Sequence, residues 1–391
     1  MAGGGDCALG NKIKDIARST QAEGMILTID AESKSCRVKK QKYFNPGRAL
    51  NYIKPVIIVA PYSIMKARLL ASTLQTFFYE NRIDTATIIL IDEMDIVRDD
   101  KTEDDCFKTA LNSLGFKDVI FHSLGFNKKS LGYLPMPEQE VIVIKKTAKQ
   151  SIIKLLDSFN LSLPENCSLY LAYLSSETVR VCARVFIINT LIEDKGLRNN
   201  SVYVLVCREE EAIKLLLDNF KRFFVKPAYK DLFSECYISS MKDENKITGH
   251  GHIYGTGNKK IHIVITTTLP STIFKNLTSI SKTGMMSGDQ SLSDYLSLKE
   301  RLPYYDKQSW KEPLIDGLNA RAHEMGGEEL LNKFQSMVAG RTAYTGAVAF
   351  KLLAPDDAPT PMLKNNLLAF NSEVFARKAD RAIREMLIKL L

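Results

Sequence analysis

A polar stretch, SGDQSLSDY, occupies residues 287–295, between an apolar segment and a segment with helical spacing. Gly288 allows close approach of a backbone, and Asp289 or Ser291 can cap a helix that begins here. The free N–H groups of such a helix start can hold a phosphate, while Asp289 and Gln290 can reach ribose or sugar hydroxyls. The stretch therefore predicts either a simple helix cap or the phosphate end of a nucleotide site.

Further polar residues that end apolar segments could complete such a site. Thr267 and Thr268 follow the run KIHIVI and could line a base or ribose pocket. Arg208, after VYVLVC, and Lys311, inside SWKEPLIDGL, could offset the charge of a leaving diphosphate. Arg208 could equally pair with the acidic residues 209–211 at the start of a helix.

The elements that must position these residues are apolar strands alternating with helices. Strands that are apolar on both faces indicate a parallel sheet covered by helices on both sides. Ligands of such sheets bind outside the carboxyl ends of the strands, where the candidate residues fall. The predicted fold class is therefore α/β, with two doubly wound Rossmann-like domains and a helical carboxyl-terminal extension. The predicted strands are 55–60, 85–92, 118–125 and 140–146 in the first half and 168–174, 201–207, 235–239 and 260–270 in the second.

The chain of 391 residues is longer than a typical single domain, which favours two separate cores. LSLPENC, residues 161–167, combines Pro, Asn and Ser and is the candidate linker. One amphipathic helix is expected over about 371–390. The predicted domains are an amino-terminal segment that could form a hairpin (1–50), two α/β domains (51–160 and 161–320) and a helical extension (321–391).

Residues 260–320 resemble the carboxyl-terminal nucleotide-sugar domain of GT-B fold glycosyltransferases. They look closest to the protein-arginine rhamnosyltransferases, whose G-E-D-S stretch would fall on residues 288–291. A Pro-aromatic segment and a downstream Lys of that family would fall on Pro303, Tyr304 and Lys311. The resemblance implies that Asp289 and the residues around it hold a nucleotide-diphosphate sugar as co-substrate, with no other cofactor.

An inverting transfer also needs a base, because the attacking hydroxyl or amide must lose a proton. The family has an Asp-containing loop after its first strand, where this chain has APYSIMKARLL. The available groups are Asp92, Glu93 and Asp95 at the end of one predicted strand and His122 at the end of the next. An acidic triplet is also typical of a solvated turn, and a half-buried strand histidine is commonly structural. DEMD, residues 92–95, has no D-x-D spacing, so a metal-independent enzyme is expected.

Composition limits the partners and the compartment. The net charge of +8 is spread along the helices instead of gathered in blocks, so nucleic acid is not expected as a partner. No apolar run reaches the length of a membrane span. The seven Cys are widely spaced without a C-x-x-C pair, which fits a reducing compartment: the cytoplasm, or the cytosol of another cell into which the protein is delivered.

Together with the resemblance, these patterns predict a glycosyltransferase that moves a sugar from a nucleotide-diphosphate sugar to an acceptor, which could be a protein side chain, in an interdomain cleft. The α/β domain 51–160 would then lie on the acceptor side, and the α/β domain 161–320 would bind the nucleotide sugar. One alternative is a two-lobed binding or effector protein that kept the fold without catalysis. Another is a nucleotide-sugar epimerase. An oxidoreductase is disfavoured because the glycines of GHGHIYGTGNKK (249–260) lack the G-x-G-x-x-G spacing and precede a strand; the segment predicts a hairpin or loop.

Overall fold

The computed structural model divides the chain into two compact units. The first comprises Met1–Leu134, Asp316–Leu318 and Arg377–Leu391, and the second comprises Pro135–Ile315 and Asn319–Ala376. The structure describes residues 4–20, 56–62, 67–93, 95, 104–113, 115–116, 118–158, 167–175, 177–197, 199–207, 209–241, 247–342, 347–353 and 360–390.

The elements of the described residues alternate between strands and helices as predicted. The strands are β1 Val56–Val59, β2 Thr87–Asp92, β3 Asp118–Ser123, β4 Cys167–Leu174, β5 Asn200–Cys207, β6 Glu235–Met241, β7 Ile247–Tyr254, β8 Lys260–Thr266, β9 Thr283–Met286, β10 Tyr304–Lys307, β11 Val338–Arg341 and β12 Val348–Ala349. The helices are α1 Gly4–Ser19, α2 Ala67–Asn81, α3 Asp104–Ser113, α4 Glu138–Ser158, α5 Val179–Glu193, α6 Glu210–Phe223, α7 Pro227–Lys230, α8 Ser271–Ile280, α9 Asp289–Lys299, α10 Glu312–Ser336, α11 Pro361–Ala376 and α12 Ala379–Leu390.

The first unit is built on the parallel sheet β1-β2-β3. Alternate residues of β2 point to opposite faces, so Ile88 and Leu90 pack in one core and Ile89 and Ile91 in another. Helices α2 and α3 cover the first face. Helices α1 and α12 cover the second, which brings the carboxyl-terminal end of the chain into this unit. The result is a three-layer arrangement with a helix layer on each face of the sheet.

The second unit is built on a larger sheet with the order β12-β11-β10-β9-β4-β5-β8-β6-β7. Its strands from β11 to β6 are parallel, and only the edge strands β7 and β12 run antiparallel to their neighbours. From β4 the chain builds the sheet in one direction, and from β9 it builds in the other. The boundary between β4 and β9 is therefore the topological switch point, outside which ligands of such sheets bind.

The predicted fold class is confirmed: both units are α/β with parallel sheets, and the carboxyl-terminal end is helical. The helix expected over about 371–390 is in fact two, α11 and α12, which belong to different units. GHGHIY forms most of the edge strand β7. In the described part of the chain no helix is long and apolar enough to cross a membrane.

The strand predicted at 140–146 is wrong, because EVIVIKK lies within the helix α4. Ile144, Ala148 and Ile152, each four residues apart, are buried, whereas Ile142 and Val143 are exposed. That spacing is helical. The first compact unit ends at Leu134 before the chain enters the second. The hairpin predicted within residues 1–50 falls on residues 24–40, outside the described residues, while residues 4–19 form α1.

Candidate functional site

Helix α9 begins at the topological switch point of the second unit, directly after β9. Gly288 is its N-cap residue, with extended backbone angles, and has no side chain that could accept a hydrogen bond. The Ser291 hydroxyl donates to the Gly288 carbonyl at 2.8 Å and accepts from the Gly288 N–H at 3.1 Å. The N–H groups of Asp289, Gln290 and Ser291 have no acceptor among the described residues. This helix start can therefore bind an anion.

An ion pair lies beside the free helix start. The Lys311 ammonium contacts one carboxylate oxygen of Asp289, and the Lys311 side chain is buried. Lys311 ends a short 3-10 turn, Ser309–Lys311, that follows β10. The other oxygen of Asp289, Oδ1, is buried and has no hydrogen-bond partner in the described part of the chain. Lys311 thus binds one oxygen of the Asp289 carboxylate, and the other oxygen could accept a hydrogen bond from a ligand.

The end of β10 adds two more polar groups with unused hydrogen-bonding capacity. Tyr305 is 2% exposed and Gln308 is 4% exposed. The Tyr305 hydroxyl and the Gln308 Oε1 atom have no partner among the described residues. Burial raises the pKa of the Tyr305 phenol, and the nearby carboxylates of Asp289 and Asp306 raise it further. Tyr305 therefore remains protonated at neutral pH and can donate a hydrogen bond.

At a second helix start, that of α5, the protein itself supplies a carboxylate, that of Asp306. The buried Asp306 carboxylate accepts from the Ser175 N–H at 2.7 Å and from the Thr178 hydroxyl at 2.5 Å. The Cys182 thiol donates to it at 3.2 Å. Burial raises the pKa of Asp306, although the hydrogen bonds from Thr178 and Ser175 oppose this shift. The turn after β4, where doubly wound sheets commonly bind a phosphate, holds an internal carboxylate instead.

Several residues predicted for the donor site are engaged elsewhere. The Gln290 amide donates to Asp294 on its own helix at 2.6 Å. The Ser291 hydroxyl is used in the cap. Tyr304 begins β10, and its hydroxyl donates to Glu193 at the far end of α5, at 2.9 Å. The Tyr304 hydroxyl is therefore used at the far end of α5 and not at the start of α9.

The remaining predicted donor residues lie along the same edge as α9 or outside the described residues. Thr267 is half-buried and Thr268 is exposed after β8, which is separated from β4 by β5. At about 5 Å per strand spacing, they lie roughly 10 Å from the end of β4. Arg208 lies outside the described residues. The structure thus brings together Gly288, Asp289 and Lys311 out of the predicted set.

The predicted bases are held in the first unit at the ends of β2 and β3. Asp92 is buried and accepts a hydrogen bond from the Ser123 hydroxyl. Glu93 follows it and is half-buried. His122 pairs in register with Ile91, and burial lowers the pKa of its imidazole. No group of His, Cys, Asp and Glu side chains that could hold a metal ion occurs among the residues described in the structure.

Asp95 has a structural role. Its carboxylate accepts from the backbone N–H of Phe126 at 2.7 Å and of Asn127 at 3.1 Å, and from the Ser130 hydroxyl. The Arg377 guanidinium donates to carbonyl groups of the same loop. One carboxylate and one guanidinium therefore bind the polar backbone groups of the loop 126–130, which leaves Asp95 unsuited to act as a base.

Tyr305, Asp306 and Gln308 are the site residues that the sequence interpretation missed. The family resemblance placed an aromatic role on Tyr304, but successive strand residues point to opposite faces. Tyr305 therefore lies on the face opposite Tyr304, and closer to the carboxyl end of the strand. These residues lie at and just after the carboxyl end of β10, where ligands of such sheets bind, so they could be found only once that strand end was known.

Comparison with known proteins identifies no family for the chain. No family model matches it, and no curated protein matches it. Among solved structures it is similar to a UDP-forming α,α-trehalose-phosphate synthase from Burkholderia xenovorans in complex with glucose-6-phosphate, with 9% identity and a TM-score of 0.36 over 84% of this chain and 74% of that one. The corresponding enzyme from Burkholderia vietnamiensis has 10% identity and a TM-score of 0.33 over 84% and 73%.

Similarity at this level is too low to indicate a substrate or an activity for this chain. The resemblance to protein-arginine rhamnosyltransferases has no counterpart in these matches and stays a prediction.

Proposed function

We propose that the chain is a glycosyltransferase that binds a nucleotide-diphosphate sugar in its second unit, with the diphosphate at the start of α9. The observation that supports this most is the set of backbone N–H groups of residues 289–291, which have no acceptor among the described residues at the topological switch point. Lys311 lies beside them. Donors of this kind suit a diphosphate, because its oxygens accept hydrogen bonds and carry negative charge.

In the proposed reaction, the acceptor oxygen or nitrogen bonds to the anomeric carbon of the sugar as the bond from that carbon to the diphosphate breaks. The diphosphate leaves with the bonding electrons, and the N–H groups of α9 and the Lys311 ammonium offset its charge. We propose on this ground that no metal ion is needed. The acceptor could be a protein side chain.

The proton of the acceptor would pass to a carboxylate at the end of β2. Glu93 suits this role better than Asp92, because Glu93 is half-buried whereas Asp92 is buried. His122 is a weaker candidate, since it is half-buried and sits among apolar strand residues. A second proposal is a non-catalytic protein that binds a nucleotide sugar. It is supported by Asp92 and Asp95, two of the predicted bases, because both carboxylates are hydrogen-bonded within the fold.

A thermal-shift series tests donor binding. UDP-glucose, GDP-mannose, dTDP-glucose, ADP-glucose and NAD are added to the full chain, and one of the sugar nucleotides is expected to raise the melting temperature. Lys311→Met should weaken its binding about tenfold or more, through loss of a charge-assisted contact to the diphosphate. Lys307→Met is the matched control, because Lys307 is equally buried but pairs with Glu312. If no sugar nucleotide stabilises the wild-type chain, the proposed function fails.

Hydrolysis of the stabilising sugar nucleotide separates the enzyme from the non-catalytic protein. Slow turnover that is lost in Glu93→Gln and kept in Asp92→Asn would support Glu93 as the base. Equal turnover in wild type and both variants would exclude a base at the end of β2. Binding without any turnover, including in the presence of candidate acceptor proteins, would favour the non-catalytic protein.

A further inference from the structure

Three buried polar atoms cluster around the carboxyl ends of β9 and β10 without a hydrogen-bond partner among the described residues: Asp289 Oδ1, the Tyr305 hydroxyl and Gln308 Oε1. Buried polar atoms in folded proteins are nearly always satisfied, because a buried atom without a hydrogen bond loses its interactions with water and gains none in return. Three of them on neighbouring segments therefore point to a group that is bound there in the working protein.

An ion pair, a backbone hydrogen bond and a strand pairing link the segments that carry these three atoms. Asp289 is paired with Lys311, and the Lys311 backbone N–H donates to the Gln308 carbonyl at 3.0 Å. Tyr305 lies beside Met286, three residues before Asp289, in the register of β10 and β9. The Tyr305 phenol is also close enough to Asp289 for the two to interact electrostatically.

The orientation of the Gln308 amide is fixed by its neighbours. Its Nε2 group donates to the Asp306 carboxylate at 3.2 Å and lies 3.5 Å from the Thr178 hydroxyl. The reverse orientation would place the amide oxygen against the Asp306 Oδ1 atom, which accepts hydrogen bonds from the Thr178 hydroxyl and the Cys182 thiol. Oε1 therefore faces away from Asp306 as an unused acceptor.

The chemistry of the three atoms determines which ligand group they suit. Asp289 Oδ1 and Gln308 Oε1 can only accept hydrogen bonds, whereas the Tyr305 hydroxyl can both donate and accept. Phosphate oxygens are acceptors and cannot satisfy the first two. Neighbouring hydroxyl groups of a sugar ring can satisfy all three, since each hydroxyl donates one hydrogen and accepts another.

We propose that Asp289, Tyr305 and Gln308 form a hydroxyl-binding subsite that takes a vicinal pair of sugar hydroxyls from the same ligand whose phosphate binds at the start of α9. This inference rests on the proposed function for the nature of the ligand, a nucleotide-diphosphate sugar. The hydroxyls come either from the transferred sugar or from the ribose. The subsite gives the site two recognition elements: N–H groups for the anion and carbonyl and carboxylate oxygens for the sugar.

The first test compares Tyr305→Phe with Tyr304→Phe in the full chain without ligand. Tyr304 is the matched control, because it is an equally buried neighbour whose hydroxyl donates to Glu193. Tyr304→Phe should lower the melting temperature, since it removes a hydrogen bond that the fold makes to Glu193. Tyr305→Phe should leave the melting temperature unchanged or raise it, since its hydroxyl has no protein partner to lose. A loss as large as that of Tyr304→Phe would overturn the proposal.

The second test measures ligand affinity by calorimetry for wild type and Tyr305→Phe. The probes are UDP-glucose, GDP-mannose, dTDP-glucose, ADP-glucose, their parent nucleoside diphosphates, glucose 1-phosphate and inorganic pyrophosphate. Tyr305→Phe should weaken binding of the hydroxyl-bearing ligands about tenfold, through loss of one buried hydrogen bond, and leave pyrophosphate binding unchanged. Unchanged affinity for every probe, or an equal loss for pyrophosphate, would overturn the proposal.

The probes also separate the two sources of the hydroxyls. A loss for the sugar nucleotide and glucose 1-phosphate, with the nucleoside diphosphate unaffected, assigns the subsite to the transferred sugar. An equal loss for the nucleoside diphosphate assigns it to the ribose. If no nucleotide binds the wild type but glucose 1-phosphate does, and Tyr305→Phe weakens it, the proposed function fails while the subsite stands. If no hydroxyl-bearing probe binds the wild type, both fail.

Discussion

At the scale of single residues, the carboxylates of this protein differ in how much of their hydrogen-bonding capacity the fold uses. Asp306 and Asp95 each accept several hydrogen bonds from nearby donors, so their carboxylates have structural roles. One carboxylate oxygen of Asp289 contacts Lys311, and the other has no hydrogen-bond partner among the described residues. The sequence shows three Asp residues near strand ends. Their different roles follow from donors that tertiary packing brings to them.

His122 provides a prediction about pH. Burial lowers the pKa of its imidazole below the ordinary value of 6.5, so the folded chain takes up this proton less readily than the unfolded chain. The contribution of neutral His122 to stability is therefore complete above pH 6.5 and is lost as the pH falls below it. His122→Gln should lose less stability than wild type between about pH 7.5 and about pH 5.5 in urea unfolding.

His262, whose pKa burial also lowers, is present in both proteins, so the difference between the two curves reports on His122 alone. Parallel pH profiles for wild type and His122→Gln would contradict the prediction.

At the scale of elements, two helix starts on the same sheet differ in whether the protein supplies a carboxylate. Before α5, the Asp306 carboxylate accepts hydrogen bonds from Ser175 and Thr178. The start of α9 has a glycine N-cap, and its first N–H groups have no acceptor among the described residues. The contrast can be tested by giving α9 the carboxylate that it lacks. Gly288 has extended backbone angles, and the contact that its added Cβ would make with Ser291 is an ordinary one of 3.4 Å. Another residue can therefore stand there without strain.

Gly288→Asp should stabilise the free protein by a few tenths of a kcal/mol and abolish binding of the sugar nucleotide. An N-cap carboxylate accepts from the first-turn N–H groups and repels the diphosphate. Glu209→Asp is the matched control: Glu209 is the exposed N-cap of α6, with extended angles and no side-chain cap bond. It should add a similar cap without affecting the ligand. Thermal shift measures both effects, and nucleotide binding retained by Gly288→Asp would contradict the diphosphate assignment.

Element prediction from sequence succeeded where one signal dominated. SGDQS was correctly placed at a helix start, because glycine followed by polar residues and a helical pattern is an unambiguous N-terminus. The segment EVIVIKK was wrongly predicted as a strand, because four consecutive apolar residues fit both a strand and one side of a helix. The role of Tyr305 could not be predicted without the end of β10, since a shift of one residue moves a side chain to the other face.

At the scale of the whole molecule, the chain order and the spatial units differ. Helix α12 lies at the carboxyl-terminal end of the sequence and belongs to the first unit, where it packs with α1 against the sheet. The amphipathic pattern of α12 predicted a packing helix, but an apolar helix side does not predict which sheet it packs against. The strand order of the larger sheet likewise depends on long-range pairing that no local pattern encodes.

This arrangement predicts that damage to α12 affects the first unit alone. Ile383 is buried among Leu9, Ile13 and Ile89, and Ile383→Ala should cost about 2–5 kcal/mol through lost burial and the cavity left behind. Hydrogen exchange should then show lost amide protection in β1–β3 and unchanged protection in β4–β11. Ile388→Ala, on the exposed side of the same helix, should change neither. Equal loss of protection in both sheets would show that the two units unfold together.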